Sequence, residues 1–487
     1  MPIAAPISSR TLAPHYEETL NRVLGRVLEN PKLSIPGFVV ICRRGASVYG
    51  PRAFGFADIE RKRPMRPDAM MRMYSMTKVL TSTVALMLYE KGLFKLNDPV
   101  GKYLPSFDRD WTVVWEADEA DAAPLGELRV HNMALGRSTT VRYAGAPARN
   151  LMRIKHLMTE TSGIGYDSWS DIDEELGGTI GTRRAFQIAN ALRSRVHPTL
   201  YKSSSILGQD LTLAEFCDAI AEAGVLATEP GRFSYGLGAA VLGRVIEVVH
   251  AAHTGTPTKL SDIFQALLFD PLGMRDATFF LEDRDPRADR VPPLHGVRRN
   301  ADGALAVVRA RDSVPQTDPP YSNETDHVAG LRKQESGDTG TLMTVEDYGK
   351  FLDFLARGGV TEGDERLLGP VGVGMLTRAW LRGLDLDSGL ARYFNCAGTL
   401  NATVPTSFQF GWAITRPTLD IEEYQPTEHP AACYWSGYAN TSAHFFRDDD
   451  AWIVVAPQIM GHGASRSEAV ESVLTRPAVA AFLDLWR

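Results

Sequence analysis

The sequence predicts an α+β protein, an α/β sandwich in which both ends of the chain build one antiparallel sheet flanked by helices, with a mostly helical domain inserted between them. Three observations predict it. The first hundred or so residues read as helix, strand, strand, helix; the last part reads as successive short strands closed by a helix; and the stretch between carries helical periodicity broken by Gly- and Ser-rich connections. Residues 1–105 and 325–487 then share the sheet domain, and residues 106–324 form the inserted one. No internal repeat is visible.

Each element has its own signal. Tyr16, Leu20, Val23, Leu24, Val27 and Leu28 line one face of an N-terminal helix that ends before Pro31. Phe38 to Cys42 and Ser47 to Phe54 flank a turn at Arg44-Gly45 and read as a hairpin. After Ser75, the residues Met76, Val79, Leu80, Thr83, Val84, Met87 and Leu88 recur with the period of a helix that buries one stripe, and Gly92 stops it. From Ser106 to Asn150 the pattern lapses into an acidic cluster and then Gly, Arg, Ser and Thr, which predicts a long inserted loop acting as a lid or partly disordered. Short helices follow over Leu151 to Thr159 and Leu213 to Ala223, and the Pro-, Arg- and Asp-rich run from Pro286 to Pro320 reads as a linker. Thr344 caps a helix that runs to Leu355 and stops at Gly358-Gly359. Phe410 to Ile414, Ala431 to Trp435, Ser442 to Arg447 and Trp452 to Pro457 read as antiparallel strands. The closing helix carries Val470, Val473 and Leu474, bends at Pro477 and continues through Phe482.

Composition narrows the function. With 487 residues and 44% hydrophobic content the chain can bury one large core or two. A net charge of −7 without a long Lys/Arg run argues against nucleic acid or an anionic membrane surface as the main partner, and for a small molecule. Met1 to Pro14 lacks a basic start followed by an apolar run, and no stretch approaches the roughly 18 apolar residues of a membrane span, so a cytoplasmic location is expected. Cys42, Cys217, Cys396 and Cys433 form neither a metal-ligand spacing nor a disulfide framework and read as four reduced thiols. No cofactor is implied. His250-Ala251-Ala252-His253 lacks the third ligand and glutamate of a zinc site, and no Gly-x-Ser-x-Gly elbow exists.

The chemistry centres on Ser75-Met76-Thr77-Lys78. Three residues apart on a helix, the hydroxyl and the amine share one face, and free backbone N–H groups and the positive dipole end favour negative charge at the serine. That is a nucleophile, a base and half an oxyanion hole in one turn; the plain alternative is a helix-capping serine with a solvated lysine. No other lysine has a serine three residues before it. Two further stretches stand out. Phe233-Ser234-Tyr235-Gly236-Leu237-Gly238 holds a tyrosine on a turn before a helix, and Tyr434-Trp435-Ser436-Gly437-Tyr438-Ala439-Asn440-Thr441 ends a strand whose glycine and free N–H groups can approach a bound oxyanion. A packed core tyrosine and an ordinary turn with exposed aromatics are the corresponding plain readings.

These three stretches, in this order, resemble the serine β-lactamase and penicillin-binding-protein superfamily, within it the class C-like branch, and most closely the family VIII carboxylesterases and related acyltransferases. Leu157 to Gly163, Asp270 to Met274 and Gly340 to Asp347 resemble further segments of that family, so the likeness runs from Phe38 to about Gln458. It implies a β-lactamase/transpeptidase-like fold and a metal-free acyl-enzyme mechanism. In it Ser75, Lys78 and Tyr235 are catalytic, the N–H groups of Ser75 and Tyr438 form the oxyanion hole, and Trp435, Gly437, Leu237 and Tyr74 bind substrate. Which of Lys78 and Tyr235 is the base in each half-reaction stays open. The chain departs from the β-lactam-cleaving relatives at two positions: Trp435 stands where they carry a lysine, and Leu237 where they carry an asparagine. Losing that cation and amide removes charge-assisted anchors for a carboxylate, so the resemblance implies hydrolysis of small neutral esters. Tyr166 and Trp169 could extend an apolar wall. Transfer of the acyl group to a natural-product alcohol is the alternative, followed by β-lactamase or D-amino-acid peptidase activity and by a catalytically silent binding protein of the same fold.

Overall fold

The structure, a computed structural model, describes residues 10–11, 14–30, 33, 35–118, 124–132, 137–166, 180–196, 211–282, 284–300, 305–310, 335–378, 405–415, 432–460 and 470–484. Both ends of the chain do meet in one sheet. Its strands run in the order Arg10–Thr11, Ser47–Asp58, Gly37–Arg44, Ala451–Ala456, Ser442–Phe446, Cys433–Ser436, Trp412–Thr415 and Pro405–Gln409. The N-terminal hairpin and the C-terminal meander join where Val39 pairs with Ala456 and Ile41 with Val454, antiparallel. Gly37–Arg44 and Ala451–Ala456 are buried almost throughout, as strands covered on both faces must be. On one side the first helix, Pro14–Val27, packs against the last, Arg476–Asp484; on the other, Val345–Ala356 lies on the central strands. There a Cβ on Gly349 would stand 2.6 Å from the Trp452 ring, so only glycine allows that approach.

The helix after Ser75 departs from the one-stripe expectation. A short 3-10 turn, Tyr74–Met76, feeds the helix Thr77–Glu90, and every residue from Thr77 to Leu88 is buried. It runs through the middle of the molecule against the helices Gly238–Thr254 and Pro370–Thr377, so no face meets water. Its polar side chains are satisfied internally. The hydroxyls of Thr77 and Thr341 lie 2.8 Å apart, Thr81 donates to the Gly337 carbonyl at 2.6 Å, and Thr83 donates back to the Val79 carbonyl.

The described residues of 106–150 are not one long loop. Arg137–Pro147 pairs antiparallel with Gly126–Asn132 on one side and Thr112–Glu116 on the other, and Val225–Leu226 joins Thr112–Glu116 in parallel to complete a four-stranded sheet. The helix Ile180–Val196 packs across it around a small core of its own, with Val114, Leu128, Val130, Val141, Ile188 and Ala189. In the edge strand Gly126–Asn132, Glu127 and Arg129 face water while Leu128 and Val130 are buried. Such a half-exposed strand shows its alternation over only a few residues, which the surrounding charge conceals. The inserted part is therefore helix and sheet together. The presumed linker from Pro286 likewise contains a hairpin, His295–Arg299 with Leu305–Arg309, placed parallel to Ile459–Met460. Arg309 closes it onto the main sheet by an ion pair with Asp58 at 3.0 Å. Among the described residues no helix is long and apolar enough to cross a membrane.

Candidate active site

Ser75 lies where a strand ends and the central helix begins, and its entry is held from several sides. Met71–Arg72 pairs with Leu342–Met343, the Met73 N–H donates to the Thr341 carbonyl at 2.9 Å, and Tyr348 donates its hydroxyl to the Met76 carbonyl. Tyr74 adopts φ +46°, a left-handed conformation that costs a bulky residue on the order of 1–3 kcal/mol and persists only where the surroundings impose it. Its ring meets Tyr438 edge-on, with centroids 6.0 Å apart. The Ser75 residue is 9% exposed, whereas Lys78 is wholly buried.

Lys78 is surrounded by acceptors. Its Nζ donates to Ser75 Oγ at 3.4 Å, to the Tyr166 hydroxyl at 3.1 Å and to the backbone carbonyl of Asp338 at 3.2 Å, and it lies 4.7 Å from the centre of the Tyr235 ring. The Asp338 carboxylate stands 4.0 Å from Nζ and accepts a hydrogen bond from the Tyr166 hydroxyl. Burial lowers the Lys78 pKa below its ordinary value, against the opposing pull of Asp338 and Glu160. The Glu160 carboxyl is pushed up to about 8 by burial, partly offset by Lys78 and by the Gly236 N–H that donates to it at 2.8 Å. Two acids and two phenols thus converge on one amine. Among the described residues no group of three His, Cys, Asp or Glu side chains is gathered as a metal ion would require.

Tyr235 completes the site on the turn before the helix Gly238–Thr254. Its pKa is raised well above 10 by burial and by Glu160, while hydrogen bonds from Ser75 and Trp435 act the other way. The Trp435 indole donates to the Tyr235 hydroxyl oxygen at 2.9 Å, and its ring stacks edgewise on Phe408 with centroids 4.6 Å apart. A neutral N–H therefore occupies the place that the resemblance gives to a lysine, and contacts the phenol.

The remaining candidates fall into two groups. Tyr74, next to Ser75 in the chain, packs with Tyr438 in a small apolar cluster with Leu294, Ala439 and Met460, whereas Leu237 is buried in the main core and donates its backbone N–H to the Ile164 carbonyl. Gly437 was expected to leave room for a bound group; a Cβ there would instead stand 2.3 Å from the Met73 carbonyl oxygen and 2.3 Å from Thr441 Oγ1. Its smallness lets the third motif close onto the chain just before the nucleophile. Trp169 and Cys396 lie outside the described residues. Cys433 is a buried thiol pushed up to about 12 by burial, which removes it from the chemistry. Glu160, Asp338 and the polar role of Tyr166 were not anticipated. The available signal was charge in unlikely places: a glutamate inside Thr-Glu-Thr-Ser-Gly and an aspartate inside the Gly-rich entry to the 345–356 helix.

The Beta-lactamase family model matches residues 20–474. The chain belongs to the beta-lactamase family. Esterase EstB of Burkholderia gladioli is 29% identical over 295 residues, 61% of this chain and 57% of that protein. The ML-236A carboxylate methylbutanoyltransferase mlcH of Penicillium citrinum is 27% identical over 288 residues, 58% of this chain and 54% of that protein. The chain thus spans little more than half the length of these two curated relatives. Among solved structures, EstCE1, described as a hydrolase with promiscuous acyltransferase activity, superposes with a TM-score of 0.62 at 20% identity, over 95% of this chain and 99% of that one. At that identity the likeness establishes the beta-lactamase fold.

Proposed function

We propose that this chain is a serine carboxylesterase that cleaves small neutral esters through an acyl-enzyme on Ser75. One observation carries the reading: the Ser75 hydroxyl lies 3.4 Å from a buried amine whose pKa burial lowers. Lys78, neutral, takes the Ser75 proton as Oγ attacks the ester carbonyl, and the N–H groups of Ser75 and Tyr438 receive the oxyanion. Tyr235, joined to Ser75 by a hydrogen bond, passes a proton to the leaving alcohol, and water then releases the acid. Substrate preference follows from Trp435. An indole N–H satisfies Tyr235 without bringing a positive charge, so the site offers no cation there to hold a carboxylate. EstB, an esterase, is a relative consistent with this chemistry.

Acyl transfer to an alcohol is the second reading, favoured by the likeness to mlcH and EstCE1. It differs only in whether an alcohol or water attacks the acyl-enzyme. We place the protein in the cytoplasm, a reading supported by the buried free thiols Cys42, Cys217 and Cys433.

The test compares p-nitrophenyl butyrate with nitrocefin on one preparation, with Ser75→Ala as control and intact-mass detection of the acyl-enzyme with and without an alcohol acceptor. Ester turnover far above nitrocefin turnover, abolished in Ser75→Ala, is expected. A preference for nitrocefin would replace the reading by a β-lactamase.

A further inference from the structure

Lys78 must do more than lie near Ser75: as a base it has to aim its lone pair at the hydroxyl proton. Its three hydrogen-bond directions are Ser75 Oγ, the Tyr166 hydroxyl and the Asp338 carbonyl. In the neutral amine, two N–H groups held by Tyr166 and Asp338 leave the lone pair for Ser75. That arrangement requires the Tyr166 oxygen to accept, and a phenol has one proton of its own to place. Here the proton is committed to the Asp338 carboxylate, which is fully buried and also accepts from Ser336 Oγ and, at 3.4 Å, from Thr339 Oγ1. Without that acceptor the phenol proton could turn to the amine lone pair and block it.

The loop that carries Asp338 is locked onto the central helix. Thr81 donates to the Gly337 carbonyl at 2.6 Å, the Gly340 N–H donates to the Ser336 carbonyl at 2.9 Å, and a Cβ on Gly337 would stand 2.6 Å from the Ala239 carbonyl oxygen. The groups facing Lys78 from the packed elements are Ser75 on the turn that leads into its helix, Glu160 and Tyr166 from the segment after the 154–158 helix, Tyr235 from the second motif and Asp338.

We infer that Asp338, acting through Tyr166, is a positioning residue that orients Lys78 toward Ser75 and sets the pH at which the amine becomes a base. The inference rests on the acyl-enzyme reading. Its consequence is opposite in sign to simple damage. Removing the carboxylate charge 4.0 Å from Nζ takes away a group that stabilises the ammonium, so the amine loses its proton at lower pH.

The experiment follows phosphonylation of Ser75 by a fluorophosphonate across pH, read by intact mass as the Oγ–P bond forms and fluoride leaves, in the wild type, Asp338→Asn and Tyr166→Phe. Asp338→Asn keeps the volume and the backbone carbonyl, and its acid limb should move down by roughly one pH unit. Tyr166→Phe should lose tenfold or more of the limiting rate. A folded Asp338→Asn protein with an unmoved acid limb, or Tyr166→Phe at the wild-type rate, overturns the inference. Should Asp338→Asn fail to fold, Tyr166→Phe decides alone. A wild type that is not labelled at Ser75 overturns the acyl-enzyme reading, and the inference with it.

Discussion

Trp435→Phe isolates the hydrogen bond that stands in for a lysine. Phenylalanine keeps an aromatic ring against Phe408 and Tyr235, whose centroids lie 4.6 and 5.3 Å from that of Trp435, but removes the indole N–H that donates to the Tyr235 oxygen at 2.9 Å. Trp435 is 3% exposed, so water cannot readily replace the lost donor. A neutral hydrogen bond contributes about 1 kcal/mol net, rising to roughly 1.5–3 kcal/mol when the acceptor carries charge. The Tyr235 oxygen gains negative character as it gives up its proton to the leaving alcohol, so the bond strengthens in the transition state. The expected loss is roughly 10- to 100-fold in kcat/KM for p-nitrophenyl butyrate, mainly in kcat, from about 1.4 kcal/mol per tenfold. Stopped-flow acylation and steady-state hydrolysis measure it, with thermal melting to check that the fold survives. A folded variant within twofold of wild type would refute the idea that Trp435 supports Tyr235.

Two further outcomes follow from the same cluster. Lys78→Ala and Tyr235→Phe should each lose several orders of magnitude in kcat/KM, with the double variant little worse than either, because both serve one proton transfer; multiplicative losses would separate their roles. Glu160, held near 8 by burial against an ordinary 4.5, keeps its proton in the folded protein while the unfolded chain releases it, so it withdraws stability as pH rises from about 4.5 to about 8. Glu160→Gln cannot titrate yet can still accept the Gly236 N–H, so its melting temperature should rise relative to wild type across that window, by an energy on the order of a few kcal/mol; a pH-independent difference would count against the neutral carboxyl.

Local pattern by itself determined the sheet built from both termini, the helix after Ser75, the capped helix from Thr344 and the Ser75–Lys78 spacing. Each is written in neighbouring residues: alternation, a helical repeat, a cap, two side chains one turn apart. The strands between 112 and 147 were not legible, because strands with one wet face carry few apolar residues and only the Ile180–Val196 helix shows which face is covered. The complete burial of the central helix was likewise invisible, since threonine and lysine read as polar until Thr341, Gly337 and Asp338 arrive to satisfy them. Tertiary structure alone decided what surrounds the amine. Asp338 lies 260 residues from Lys78 in sequence, and Trp435 lies 200 from Tyr235. The serine and lysine that name the chemistry are adjacent in sequence, but the dielectric, the charge and the hydrogen-bond directions that make a lysine a base come from folding, which brings distant carboxylates and phenols around it and excludes water.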